Sequence, residues 1–145
     1  MSLTLIDICE AVGAQLRLNL TREINVDVDG EGMSAPVVRV ELQPSDPIDY
    51  WLTMNGSTGN GVAEVRFDLT VDAAGVDQSA VRRLYDYLSV GTGNGSSVID
   101  ALLADKTLGG VVETIHVSGV SEYDPINVTA TLPLRVVCRK QGANA

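Results

Sequence analysis

Apolar and polar residues alternate along this chain with two distinct periods, and the period changes sort it into strands and helices. In residues 63–71, "AEVRFDLTV", Ala63, Val65, Phe67, Leu69 and Val71 point one way while Glu64, Arg66, Asp68 and Thr70 point the other. That alternation predicts a strand with one face on a core and one in water or against a polar partner. Residues 128–139 repeat the pattern, with Val128, Ala130, Leu132, Leu134, Val136 and Cys138 inward. Pro133 falls on the outward register, which predicts an edge strand or a bulge, because proline donates no ladder hydrogen bond. Val38, Val40 and Leu42 alternate with Arg39 and Glu41, predicting a strand over 37–42 that "QPSDPID" (43–49) stops. A short strand follows at "YWLTM" (50–54), "NGSTGNG" (55–61) reads as a hairpin connection, and residues 111–120 read as extended.

The helical period appears three times. Residues 4–17 set Leu5, Cys9, Val12 and Leu16 on one stripe, with Thr4 and Asp7 at capping-box spacing. Residues 76–88 align Val76, Ala80, Val81, Leu84 and Leu88, with Asp77 as N-cap. "SSVIDALLAD" offers Ser97 and Asp100 as a second capping box ahead of Ala101, Leu102 and Leu103, in a short helix that Gly109 and Gly110 end. Residues 27–36, "DVDGEGMSAP", read as a flexible acidic loop, and 141–145 as a frayed tail. The order predicts an α+β fold: a mainly antiparallel sheet of four to five strands with helices on one face. No internal repeat or linker divides residues 1–145, so one domain is expected.

Composition sharpens this picture. A chain of 145 residues buries about 68–70% of its unfolded surface without staples. Aromatic residues make up only 4%, so the core is aliphatic. The net charge of −9 repels polyphosphate within a Debye length of about 8–10 Å. There is no basic stripe of the kind a nucleic-acid reader carries. Cys9 and Cys138 fit no metal-ligand spacing and read as free thiols in a reducing compartment. Asp7 and Glu10 interrupt the N-terminal apolar run, which excludes a signal peptide reading, and no apolar run reaches membrane-spanning length.

Catalytic chemistry finds few residues to use. His116 is the only histidine and lies on a polar strand register with Thr114 and Ser118, away from any nucleophile-elbow pattern. Asp27, Asp29 and Glu31 suggest calcium, but "DVDGEG" breaks the EF-hand pattern at its third ligand. "GTGNGSS" (91–97) lacks the lysine of a phosphate-binding P-loop and the final glycine of a dinucleotide fingerprint. It also follows a helix instead of a strand. Its glycines fit a tight helix-to-helix connection that needs positive φ, with Ser96 or Ser97 capping the next helix. No enzyme activity, cofactor or metal is expected.

The run "QSAVRRLYDYLSVGTGNGSSVIDALLADKTLGGVVETIHVSGVSEY" (78–123) resembles the characteristic block of tail terminator, or tail completion, proteins of long non-contractile-tailed phages of actinobacteria. An amphipathic helix leads to Tyr87-Leu88, a glycine-serine turn, Ala101-Leu102, and the "D-x-TLGG" of Asp105 to Gly110 running into a strand. "PSDPIDYWLTM" (44–54) extends the likeness, which covers residues 45–123. The resemblance implies a tail-terminator-like fold in a virion subunit at the neck, assembled in the host cytoplasm. Such a subunit forms a ring, usually a hexamer, that caps the tail tube, stops its polymerisation and meets the head-side connector or stopper protein. Genomic DNA would pass through the lumen unbound. No catalytic residues come with this family. Candidate subunit, tube or connector contacts are Arg66, Arg82 and Arg83, the loop Asn55, Gly56, Ser57 and Thr58, and the tip Gly93, Asn94 and Gly95. The alternatives are another neck or tail tube protein, or a small acidic α+β ligand- or metal-binding domain using Asp27 to Glu31.

Overall fold

A computed structural model describes residues 5–20, 24–28, 30, 32–52, 61–91 and 95–140, apart from the side chains of 49–52, 61–63 and 139–140. The elements run α1 (Leu5–Asn19), β1 (Asn25–Val28), β2 (Val37–Leu42), β3 (Ile48–Leu52), β4 (Gly61–Asp72), α2 (Gln78–Leu88), α3 (Val98–Leu103), β5 (Thr114–Val117), β6 (Glu122–Asp124) and β7 (Thr129–Lys140). The predicted class holds: helices lie on a largely antiparallel sheet. The sheet has seven strands, however, with principal order β1-β2-β4-β7-β5, where four to five were expected. The additional strands are β1, whose "NVDV" turns the start of the expected acidic loop into a strand parallel to β2, and β6, three residues long. β6 is too short to show a period, whereas Ile24, Val26 and Val28 do alternate with Asn25, Asp27 and Asp29, a strand signal hidden by reading 27–36 as one acidic, glycine-rich loop.

β4 and β7 pair along their full lengths, from Gly61↔Lys140 to Asp72↔Thr129. β2 and β3 follow one another along the outer side of β4 and act as one strand with an excursion at 43–47. Arg66 closes that excursion: its carbonyl accepts from Gln43 N at 3.0 Å, and its amide donates to Pro47 O at 2.7 Å. Its Nη1 adds a bond to Asp46 O at 2.8 Å. β5 and β6 line the outer side of β7 in the same way, interrupted at 118–121.

This second interruption explains Pro133. β7 is an interior strand, contrary to the predicted edge. The carbonyls of Thr131 and Val137 accept from Ser121 N and Glu113 N on the β5/β6 side. Alternation therefore turns the Pro133 nitrogen to that side as well. There it meets the gap between β5, which pairs with Leu134 to Val137, and β6, which pairs with Thr129 to Thr131. The missing N–H falls where no partner strand needs it.

The apolar register is continuous across the sheet. Val26 and Val28, then Val38 and Val40, then Val65, Phe67, Leu69 and Val71, then Ala130, Leu132, Leu134 and Val136, and finally Ile115 are buried in one cluster. Ile8, Cys9, Val12 and Leu16 of α1, Ala80, Leu84 and Tyr87 of α2, and Val98, Ala101 and Leu102 of α3 complete the same core. All three described helices thus cover one side of the sheet. Leu5 and Val76, assigned to helix stripes by spacing, are exposed.

Asp77 caps α2 through Ala80 N at 2.9 Å, as expected. Ser97 caps α3 through Asp100 N at 3.1 Å. Asp100 carries its carboxylate back to the Gly91 amide at 2.8 Å, tying the glycine loop shut. Gly91 and Gly95 take positive φ, the conformational demand read from sequence. α3 stops at Leu103, well before Gly109. In between, Asp105 accepts from Thr107 N at 2.9 Å, Thr107 Oγ1 at 2.7 Å and Gly109 N at 3.0 Å. The Thr107 hydroxyl, accepted first by Asp105, holds that carboxyl below its usual range. This knot drives Leu108 into the core at a positive φ. The "DKTLGG" stretch is therefore a hydrogen-bonded turn with an apolar plug and does not form a helix end.

Candidate interaction face

The opposite side of the sheet carries no described helix. Cross-strand register groups its side chains in rows. One row runs Arg66, Arg135, His116 across β4, β7 and β5. The next, two residues on and about 7 Å along the strands, runs Glu41, Asp68, Pro133. Then come Asp27, Arg39, Thr70, Thr131, Glu122 and, last, Val37, Asp72, Thr129, Asp124. The face is polarised, basic at the Arg135 end and mostly acidic beyond it.

Glu64, beside the basic row, is the exception to the predicted solvent-facing register. Its side chain is 1% exposed, and its carboxylate is divided between two guanidiniums, Arg66 Nε and Arg135 Nη2, each at 2.6 Å. Arg135 chiefly, against the opposing effect of burial, holds the Glu64 carboxyl below its ordinary value. The long arginine stems fold over the carboxylate and exclude water from it. Arg135 itself keeps 46% of its side chain exposed, and among the described residues only its Nη2 is engaged, by Glu64, leaving Nε and Nη1 without a partner there.

At the other end, Asp27 is buried and accepts from Gly32 N at 3.1 Å and Met33 N at 3.3 Å, with Arg39 Nε at 4.0 Å. Arg39 also reaches Asp72 at 3.8 Å. The carboxylate considered for calcium is therefore engaged by backbone and arginine, while Asp29 and Glu31 lie outside the described residues. Among the described residues, no group of three His, Cys, Asp or Glu is placed to hold a metal. A shallow depression at the sheet margin is lined by Glu122, Tyr123, Asp124, Pro125, Thr129 and Thr131, with no nucleophile–base pair.

The contacts expected from sequence separate into different places. Arg66 works inside the molecule, on Glu64 and on the 43–47 excursion. Arg83 does too, donating to Ala73 O and Ala74 O at 3.1 Å each, where Ala74 has positive φ at the β4–α2 turn. Arg82 is exposed on α2 on the helix side, and Gly95 is half-buried in the loop ahead of α3. Asn55, Gly56, Ser57, Thr58, Gly93 and Asn94 lie outside the described residues. His116 is exposed, on the predicted polar register. Sequence reasoning missed Arg135 and Glu64. The signal was present in the odd register of 128–139, which places Arg135 outward, but only the β4–β7 pairing sets it against Arg66. Burial pushes the Cys138 thiol up to about 11, so both it and the buried Cys9 are shielded. No family model matches this chain, and a search of curated proteins finds no match either. No helix among the described residues is long and apolar enough to cross a membrane.

Proposed function

We propose that this chain is a non-enzymatic structural subunit of a phage tail, a terminator of tail-terminator-like fold that closes into a ring on the last ring of the tail tube. There it stops polymerisation and presents a surface to the head-side connector. One observation carries the reading: the two broad sides of the molecule differ, with a helix layer on one and, on the other, a polarised, partly buried sheet face that no described helix covers. Two unlike sides allow head-to-tail contacts, and such contacts close into rings when the rotation permits. The net charge of −9 suits a wall around a DNA conduit, because it does not trap the passing genome. The "DKTLGG" turn supports the reading in a further way, since the signature residues of the resembling block make a defined structure.

Native mass measurement and negative-stain microscopy of the purified chain test the proposal. Closed rings near six copies are expected. Filaments that lengthen with concentration would mean a tail tube protein instead, and a monomer at every concentration would remove the ring reading.

A further inference from the structure

The polarised sheet face and the outer side of α1 lie on opposite sides of the molecule, and they complement each other. Ile6, Asp7, Glu10, Ala14, Arg17 and Leu18 form one outward stripe on α1, at the spacing of a single helix face. Ile6 is 57% exposed and Leu18 80%, one apolar side chain near each end of the stripe. The N-terminal half of the stripe is acidic, through Asp7 and Glu10. Arg17 is committed to Val26 O at 3.2 Å. Across the sheet, Arg135 presents uncommitted donors fixed in direction by Glu64, with exposed His116 beside it in the row. In a chain with an excess of nine negative charges, this row is a local site for an acidic surface.

We propose that the outer stripe of α1 from a second copy of this chain seats on the open sheet face, with Glu10 directed to the Arg135–His116 row and Ile6 and Leu18 covered by the contact. This rests on the ring reading above and identifies the surfaces that join neighbours in it. The contact is heterologous, helix side to sheet side, so each copy uses both surfaces and the last copy meets the first. Pre-organisation of Arg135 by a buried carboxylate lowers the entropy lost when it binds the partner acid. The half-buried Asp68 and exposed Glu41 in the next row repel an acidic helix shifted along the strands, which fixes the register of docking.

Two variants of the full chain that each add one cysteine, Glu10→Cys and His116→Cys, test this with a short bismaleimide. The native Cys9 and Cys138 are buried and give little background. Mixing the two variants is expected to yield a covalent dimer that neither yields alone, and the double variant a ladder ending at the ring number. A link within Glu10→Cys alone, or none in the mixture, overturns the proposal. Charge exchange reads the same contact without chemistry. Glu10→Arg, at an exposed helix position that leaves the fold intact, is expected to weaken assembly about tenfold or more, and adding His116→Glu to restore it to within a few-fold. Should Glu10→Arg assemble like the unaltered chain, the interface assignment fails while the ring reading stands. If the unaltered chain never assembles, both fail.

Discussion

Two guanidiniums close on one carboxylate at Glu64, the fourth of the twelve paired positions of the β4–β7 ladder. A buried carboxylate without partners would be strongly unfavourable. Here the desolvation is offset by two charge-assisted hydrogen bonds from arginines that stay in touch with water. Replacing Glu64 by Gln leaves two arginines facing a neutral acceptor and is expected to cost roughly 1–3 kcal/mol, read as a lowered urea midpoint. The pH dependence has its source in the same residue. Its folded-state pKa lies below the unfolded value, so the pairing contributes fully above about 4.5 and is lost as pH falls from there through the depressed folded value. Thermal melting tracked from pH 7 to 3 should therefore fall more steeply below 4.5 for the unaltered chain than for Glu64→Gln. Parallel curves would mean that the carboxylate is not held as described.

At the scale of elements, close approach decides where α1 sits. A Cβ on Gly13 would come within 2.5 Å of Val28 Cγ2, so glycine lets the helix lie directly on β1. Gly→Ala inside a helix ordinarily stabilises by about 1 kcal/mol through propensity. At Gly13 the opposite sign is expected, a loss of roughly 1–3 kcal/mol from overpacking against a β-branched side chain that cannot swing away. Chemical denaturation measures it directly, and a more stable Gly13→Ala variant would refute the contact. Caps were legible in advance because Asp77 and Ser97 act on amides three residues away in the chain. The true end of α3 was not, because it depends on Asp105 gathering Thr107 and Gly109 in a turn that glycine spacing alone imitates.

At the scale of the whole molecule, helices on one side leave the other side of a wide sheet to polar rows. Half-buried charges there cost little against water and suit directional contacts, whereas an apolar face would invite indiscriminate aggregation. The competing ligand-binding reading places calcium at Asp27 to Glu31. With the Asp27 carboxylate already accepting from Gly32 and Met33 and facing Arg39, millimolar calcium is expected to leave the melting temperature unchanged. A clear upward shift would reopen that reading.

Local sequence by itself determined the long strands β2, β4 and β7, the helices, the caps of α2 and α3 and the α+β class, because each depends on residues within a few positions and on which side of an element meets a core. The expected α1 cap at Thr4 lies outside the described residues. Only the tertiary structure decided the number of strands, since β6 is too short to carry a period and the brief alternation at β1 becomes a strand by pairing with β2. It alone accommodated Pro133 inside the sheet, by placing the proline nitrogen at a gap between two strands. The polarised face belongs to the same class: Arg66, Arg135 and His116 are far apart in sequence, and register brings them into one row. Contacts across strands depend on pairing partners, and the charges of a single strand do not reveal which strand will lie beside it.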